Sequence, residues 1–202
     1  GATRIYKTPE QPAEQEMIFR LSAGSRLEYL PDQTIAYRNA AFKQFTQIVT
    51  PRDAQGFFSD VVTPGWDPDG THFTYTDLHL RLELLEETTR GKVCVDNIRM
   101  RPHETGDLLT AVGYLEGGTH MGTVLITGPH IHGTYEDDVA EIVNRASMER
   151  LGITSGTRHG ISWLVVRAIG NSTDELRELI LQVNEYDRSV TTGQGKLDVR
   201  RY

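Results

Sequence analysis

Within residues 74–86, eight consecutive positions alternate between polar and apolar. Leu78, Leu80, Leu82 and Leu84 fall on one side of an extended chain, and Asp77, His79, Arg81 and Glu83 on the other. Side chains two apart in a strand share a face, so the pattern predicts a strand with one apolar side. Shorter runs predict further strands at residues 17–21, 26–30, 34–38, 43–49, 56–62, 93–100 and 123–127. Turn residues punctuate them: Ala23-Gly24-Ser25, Pro31-Asp32, Pro64-Gly65, Pro68-Asp69-Gly70 and Gly117-Gly118. Many short strands between frequent turns predict a mainly β fold, whether sandwich, barrel or solenoid. No fixed-period repeat selects the solenoid.

The last third changes period. Val139, Ile142, Val143 and Ala146 stand at helical spacing, predicting a helix over residues 136–150, with Glu136, Asp137 and Asp138 in the dipole-favoured first turn. Leu176, Leu179, Ile180 and Val183 predict a second over residues 174–186, and Ser172 and Glu175 before it have capping-box spacing. Between them, residues 161–169 read as a buried strand rich in β-branched residues around Trp163. Residues 191–202 are polar, and a loosely held tail is expected there. No Pro/Ser-rich linker divides the chain, so residues 1–202 are expected to form a single domain.

Composition narrows the classes. With 38% hydrophobic and 24% charged residues the chain suits a globular protein. Its formal charge of −7 argues against a nucleic-acid partner and is compatible with a cationic ligand or a basic protein. The single cysteine, Cys94, excludes an intramolecular disulfide, which fits a reducing compartment. It stands in the apolar run Val93-Cys94-Val95 and reads as a buried, inert thiol. No run approaches the roughly 20 apolar residues of a membrane span. The start, Gly1-Ala2-Thr3-Arg4, has neither an initiator Met nor the apolar stretch of a signal peptide.

Candidate chemistry is sparse. In an extended chain His130 and His132 would share a face and could hold one metal ion, with Asp137 and Asp138 nearby. The same histidines lie beside Gly128-Pro129 and Gly133, which reads equally as a surface loop. Asp60, Asp67, Asp69 and His72 form a second group whose oxygens and imidazole suit a borderline divalent ion, although Asp67-Pro68-Asp69-Gly70 is also an ordinary turn. The glycine-dense stretch over residues 113–123 lacks the Lys-Ser/Thr of a phosphate loop and reads as a tight corner between strands, with Glu116 and His120 placed to line a polar path. No Gly-x-Ser-x-Gly, His-Glu-x-x-His or Cys-x-x-Cys motif is present. A metal-dependent hydrolase or lyase using His130 and His132 is the enzymatic alternative these residues leave open.

Five blocks in order resemble the UreD/UreH family of urease accessory proteins over nearly the whole chain. They are Thr3-Arg4-Ile5-Tyr6-Lys7-Thr8 with Gln15-Glu16-Met17, like the family's early strand pair; Gly24 to Asp32, with Leu27-Glu28-Tyr29-Leu30-Pro31; Phe58 to Trp66, continuing to Phe73; Gly113 to Gly117 with His120-Met121-Gly122-Thr123; and Leu164-Val165-Val166-Arg167 before a helix near Thr173. The resemblance implies an irregular β-helix-like scaffold with two α-helices in the C-terminal third. It implies a non-enzymatic, cytoplasmic protein that works with UreF, UreG and apo-urease in delivering nickel, with no membrane or nucleic-acid partner and no tightly bound cofactor. Family members usually carry residues ahead of the strand that begins here, so a missing N-terminal segment is expected.

The resemblance also implies a water-filled path for a transient nickel ion. Such a path needs weak successive ligands, because one tight site would trap the ion. Within the family-like blocks and the polar face of the 74–86 strand, Glu28, Asp60, Thr63, Asp77, Glu83, Glu116 and His120 are the candidate path residues. The other reading of each is a solvated face, a turn or an internal salt bridge.

Overall fold

The computed structural model describes residues 2–8, 10–146, 148 and 150–196. The first half of the chain runs through β1 (Thr3–Ile5), β2 (Ala13–Arg20), β3 (Arg26–Tyr29), β4 (Thr34–Ala36), β5 (Ala41–Thr50), β6 (Gln55–Val62), β7 (Asp77–Glu86) and β8 (Lys92–Met100). A one-turn helix α1 (Pro102–Thr105) and a 3-10 turn (Gly106–Thr110) lead into β9 (His120–Thr127). Then come α2 (Thr134–Arg145), β10 (Arg150–Arg158), β11 (Ile161–Gly170) and α3 (Thr173–Thr192).

The strands form two open sheets. The larger has the order β1-β4-β6-β9-β11-β10, with β3 also paired to β6; the smaller has the order β2-β5-β7-β8. The first half of the chain passes back and forth between them, so β2, β5 and β7 lie parallel in the small sheet, and β1 with β4 and β3 with β6 in the large one. From β8 onward the pairings are antiparallel. β1 and β2, expected as a strand pair, belong to different sheets.

The large sheet is covered on both faces. Phe57, Val61, Val124, Ile126, Leu164, Val166 and Ala168 pack against Tyr135, Val139, Val143, Leu176, Leu179, Ile180 and Val183 of the helices. Its other face meets the small sheet. A strand covered on both sides has no polar face, which is why β6 and β11 read as near-continuous apolar runs. Full burial of each such side chain contributes about 1.5–3 kcal/mol. The small sheet has a solvated outer face, and β7 begins with the expected alternation, Leu78 and Leu80 buried between half-buried Asp77, His79 and Arg81. The alternation breaks further along, where Glu83, Leu84, Leu85 and Glu86 are all buried and the ladder to β8 shifts register between Leu84 and Leu85.

Among the described residues three helices stand where two were expected, α1 being additional. The first predicted long helix stops at Arg145 instead of residue 150, because the chain turns extended at Ala146 and re-enters the large sheet as β10. β10 is an edge strand of mostly exposed small and polar residues, so no hydrophobic period marks it. α3 begins as its cap predicts, with the Glu175 N–H donating to Ser172 Oγ at 3.2 Å, and it runs beyond residue 186 to Thr192. Thr191 and Thr192 therefore belong to the helix rather than to a loose tail; residues 197–202 lie outside the described residues. No helix among the described residues is long and apolar enough to cross a membrane.

Candidate functional site: a polar cavity between the sheets

The space between the two sheets holds two apolar clusters, not one. One gathers Phe42, Val62, Leu78, Leu80, Met100 and Met121; the other gathers Ile48, Phe58, Leu84, Leu125 and Ile161. On strand after strand a polar residue stands between them at the same depth. Inward positions run Phe42, Gln44, Thr46, Ile48 on β5; Phe58, Asp60, Val62 on β6; Cys94, Asp96, Ile98 on β8; Met121, Thr123, Leu125 on β9; and Val165, Arg167, Ile169 on β11. The register aligns these breaks. Asp60 pairs with Thr123 and Thr123 with Arg167 across the large sheet, while Met17, Thr46, Leu82 and Asp96 form a row across the small one.

A cavity of about 70 Å³ lies along this belt, lined by Gln15, Gln44, Thr46, Asp60, Asp96 and Thr123 among others, with Asp32 and Thr34 at the β3–β4 side. That is room for several water molecules, and the walls carry enough polar groups to hold them. Asp60 is half-buried and opens onto the cavity. Burial pushes its carboxyl up to about 6, and the charge of Asp96 adds to this; hydrogen bonds from the Val61 backbone and the Gln44 side chain oppose it. Tyr29, on the same wall, is raised by burial and by Asp60. Asp96 takes a charge-assisted hydrogen bond from Arg167 at 2.6 Å, and Asp32 takes one from Arg177 of α3 at 2.6 Å.

Of the seven residues proposed from the sequence for an ion path, Asp60 lines this cavity. The others lie elsewhere. Thr63 donates to the Thr34 carbonyl at 3.1 Å and accepts from the Gly65 N–H, fixing the turn after β6. Asp77 and Glu83 are on the opposite face of β7 from the core leucines. Asp77 pairs with Arg99 at 2.7 Å, and Glu83 is held between Arg81 at 2.6 Å and Lys92 at 2.7 Å. Burial raises both carboxyls, but these cations outweigh it and hold them below the ordinary range. Glu116 is exposed on the glycine-dense corner, at φ 50° between Gly113 and Gly117 at φ 88° and 81°. His120 opens β9 and accepts or donates a 2.8 Å hydrogen bond with Thr119. Burial lowers its pKa, His72 adds to the shift and Glu175 opposes it.

Glu28 belongs to a separate buried network. Arg26 and Arg188 each reach it at 2.7 Å, and Arg26 also reaches Asp187 at 2.7 Å. Asp187, fully enclosed on α3, accepts further hydrogen bonds from Tyr135 at 2.7 Å and from His130 at 3.0 Å. His130 is thus committed to a carboxylate beneath α2, while His132 is exposed in the turn before that helix. The enzymatic alternative gains no support: the two imidazoles do not converge, and no group of three or more His, Cys, Asp or Glu placed to hold a metal occurs among the described residues. Asp67 and Asp69 are likewise engaged, both accepting from Arg38 within the turn that precedes β7.

Gln44, Asp96 and Arg167 were missed as site residues in the sequence. The signal was present: each breaks an otherwise apolar inward series, and the breaks coincide only once the register is known.

The comparisons with known proteins agree over the full length of the chain. The profile of the family described as UreD urease accessory protein matches residues 1–201. The chain belongs to the UreD family. It is 36% identical to the urease accessory protein UreD of Paenarthrobacter aurescens (strain TC1) over 205 aligned residues, covering all of this chain and 70% of that protein. It is 32% identical to the UreD of Corynebacterium glutamicum and 32% identical to that of a Bacillus species (strain TB-90), again over all of this chain and 71% and 72% of those proteins.

Proposed function

We propose that this chain is a urease maturation scaffold that binds UreF, UreG and apo-urease, and that nickel passes through it transiently along the polar belt between the sheets. The observation that carries the reading is the full-length family match combined with a cavity walled by spaced carboxylates. Asp32, Asp60 and Asp96 come from different elements around the belt. Spaced carboxylates, glutamine and threonine oxygens with water between them suit a hard or borderline divalent cation that must keep part of its hydration shell and leave again. The parallel pairings of β2, β5 and β7 support reading the first half as an irregular β-helix, whose successive turns would carry the path. On this reading the protein is not an enzyme and works in the cytoplasm, where urease is assembled.

Two measurements test it. The first is co-purification with UreF, UreG and apo-urease, where association with none of them overturns the reading. The second is urease activation by Asp60→Ala, which is expected to slow while UreF binding persists. Activation equal to wild type removes Asp60 from the path and leaves an adaptor through which no ion passes.

A further inference from the structure

The belt between the sheets carries its own cation. Arg167 stands in one cross-strand row with Thr123 and Asp60, two strands from Asp60 and therefore about 10 Å away along the sheet. Its guanidinium reaches the other sheet, where Nη2 donates to Asp96 Oδ2 at 2.6 Å, while Nη1 touches Met121 Sδ of the neighbouring strand β9 at 3.8 Å. Asp96 lines the cavity and lies on β8, the edge strand of the small sheet, so the pair ties the two sheets together at one end of the belt. Asp32 and Arg177 form the matching pair on the β3–β4 side, beyond Asp60 in the strand order.

We propose that Arg167 is a latch: a built-in counter-ion that occupies the cation position beside Asp96 and must swing away when a divalent cation enters between Asp96 and Asp60. The inference rests on the nickel-path reading above. Three features support it. An arginine fixed on a rigid strand cannot travel with the ion, so it competes for Asp96 instead of carrying anything through. Its side chain is 33% exposed, so it reaches water by rotation alone, with no movement of β11. The charge count also favours the exchange. With both carboxylates ionised, Asp60 and Asp96 beside Arg167 carry one net negative charge, and a divalent ion in the guanidinium's place makes the site neutral, with the guanidinium transferred to solvent. Arg167 thus keeps Asp96 paired while no ion is bound, without a permanently filled metal site.

The test is nickel binding to the full chain, measured by calorimetry on wild type, Arg167→Met and the double variant Arg167→Met/Asp96→Asn, with circular dichroism to confirm folding. Methionine keeps the length and packing and removes the competing charge. Nickel is expected to bind Arg167→Met about tenfold more tightly than wild type, with the gain lost in the double variant. Affinity within twofold of wild type, no measurable binding to either protein, or a gain that survives Asp96→Asn overturns the latch. Should Arg167→Met not fold, Arg167→Lys, with a shorter and more mobile charge, is expected to tighten binding about threefold, and unchanged affinity overturns the proposal. Co-purification separates the two levels. A wild-type chain that associates with its partners while Arg167→Met changes nothing sinks the latch alone; a chain that associates with none of them sinks the maturation reading.

Discussion

Arg26 and Asp187 lie 161 residues apart in the chain and meet at 2.7 Å, with the aspartate side chain wholly enclosed. The pair fastens α3 to β3. Tyr135 and His130 complete the shell around the same carboxylate, so one buried charge joins a strand, two helices and a loop. Burial raises the Asp187 pKa, but hydrogen bonds from His130, Tyr135 and Arg26 and the charge of Arg26 outweigh it and leave the group below the ordinary carboxylate range.

Removing this carboxylate is expected to be costly. Asp187→Ala leaves Arg26 buried with one acidic partner fewer, and a loss of roughly 3–5 kcal/mol is expected. The sign of the pH dependence follows from the lowered pKa. The contribution of Asp187 is complete above the carboxylate pKa of the unfolded chain and disappears as pH falls through the lower folded value. Urea unfolding of wild type and variant at pH 7 and at progressively lower pH measures both. A gap that does not narrow in acid would contradict the assignment.

Asp60 has the opposite sign. Its pKa is raised from 3.8 to about 6, so the folded chain holds a proton more tightly than the unfolded chain. Stability contributed by the protonated form is complete below 3.8 and is lost as pH rises toward 6, amounting to about 3 kcal/mol by the usual conversion. Asp60→Asn should therefore be more stable than wild type at pH 7 and nearly equal to it below pH 4. Denaturant titrations at the two pH values decide this, and a variant less stable at pH 7 would show that Asp60 is compensated by a cation. Stabilisation by removing a charge is what a site kept for function, and not for folding, should give.

How much of this was legible beforehand depends on which physical signal each part left. Leu78 and Leu80 announced β7 because one side of that sheet faces water, and Ser172 announced the start of α3 through local capping chemistry. β10 left no signal, since an edge strand of Gly, Thr and Ser buries little. β7 runs to Glu86 as expected, but its polar face does not stay exposed, because Glu83 is buried between Arg81 and Lys92 and a bulge follows between Leu84 and Leu85. Asp60 was picked out from a family-like block, whereas Asp96 and Arg167 stood unremarked in β8 and β11. Which polar residues meet depends on strand order and register, and those are set by pairings between segments far apart in sequence.

Gly65 makes a local test of the turn that carries Thr63. It has φ 90°, and a Cβ there would lie 2.4 Å from the Ala36 carbonyl oxygen, which accepts the Trp66 N–H at 3.1 Å. Gly65→Ala should therefore lose both the favourable backbone conformation and this close packing, at about 2–3 kcal/mol. Gly24→Ala is the control: φ is 66° but nothing lies within 4 Å, so only the conformational cost of about 1–2 kcal/mol is expected. Thermal unfolding of the two variants should rank them in that order, and equal losses would mean that the contact with Ala36 relaxes freely.

Cys94 offers a reporter on the belt itself. It is half-buried on the inward face of β8, two residues from Asp96, and its thiol pKa is raised first by burial and then by the Asp96 charge. Because the thiolate is the reactive form, the folded protein should react with a neutral disulfide reagent at pH 8 at least about tenfold more slowly than the unfolded chain. Asp96→Asn removes the neighbouring negative charge and leaves Arg167 without its partner carboxylate, so the native thiol should ionise more readily and react severalfold faster. A rate unchanged by Asp96→Asn would mean that burial alone protects Cys94 and that the Asp96 charge does not reach it. A faster rate would make the thiol a direct readout of the charge at the β8 end, and bound nickel there should accelerate the wild-type reaction in the same direction.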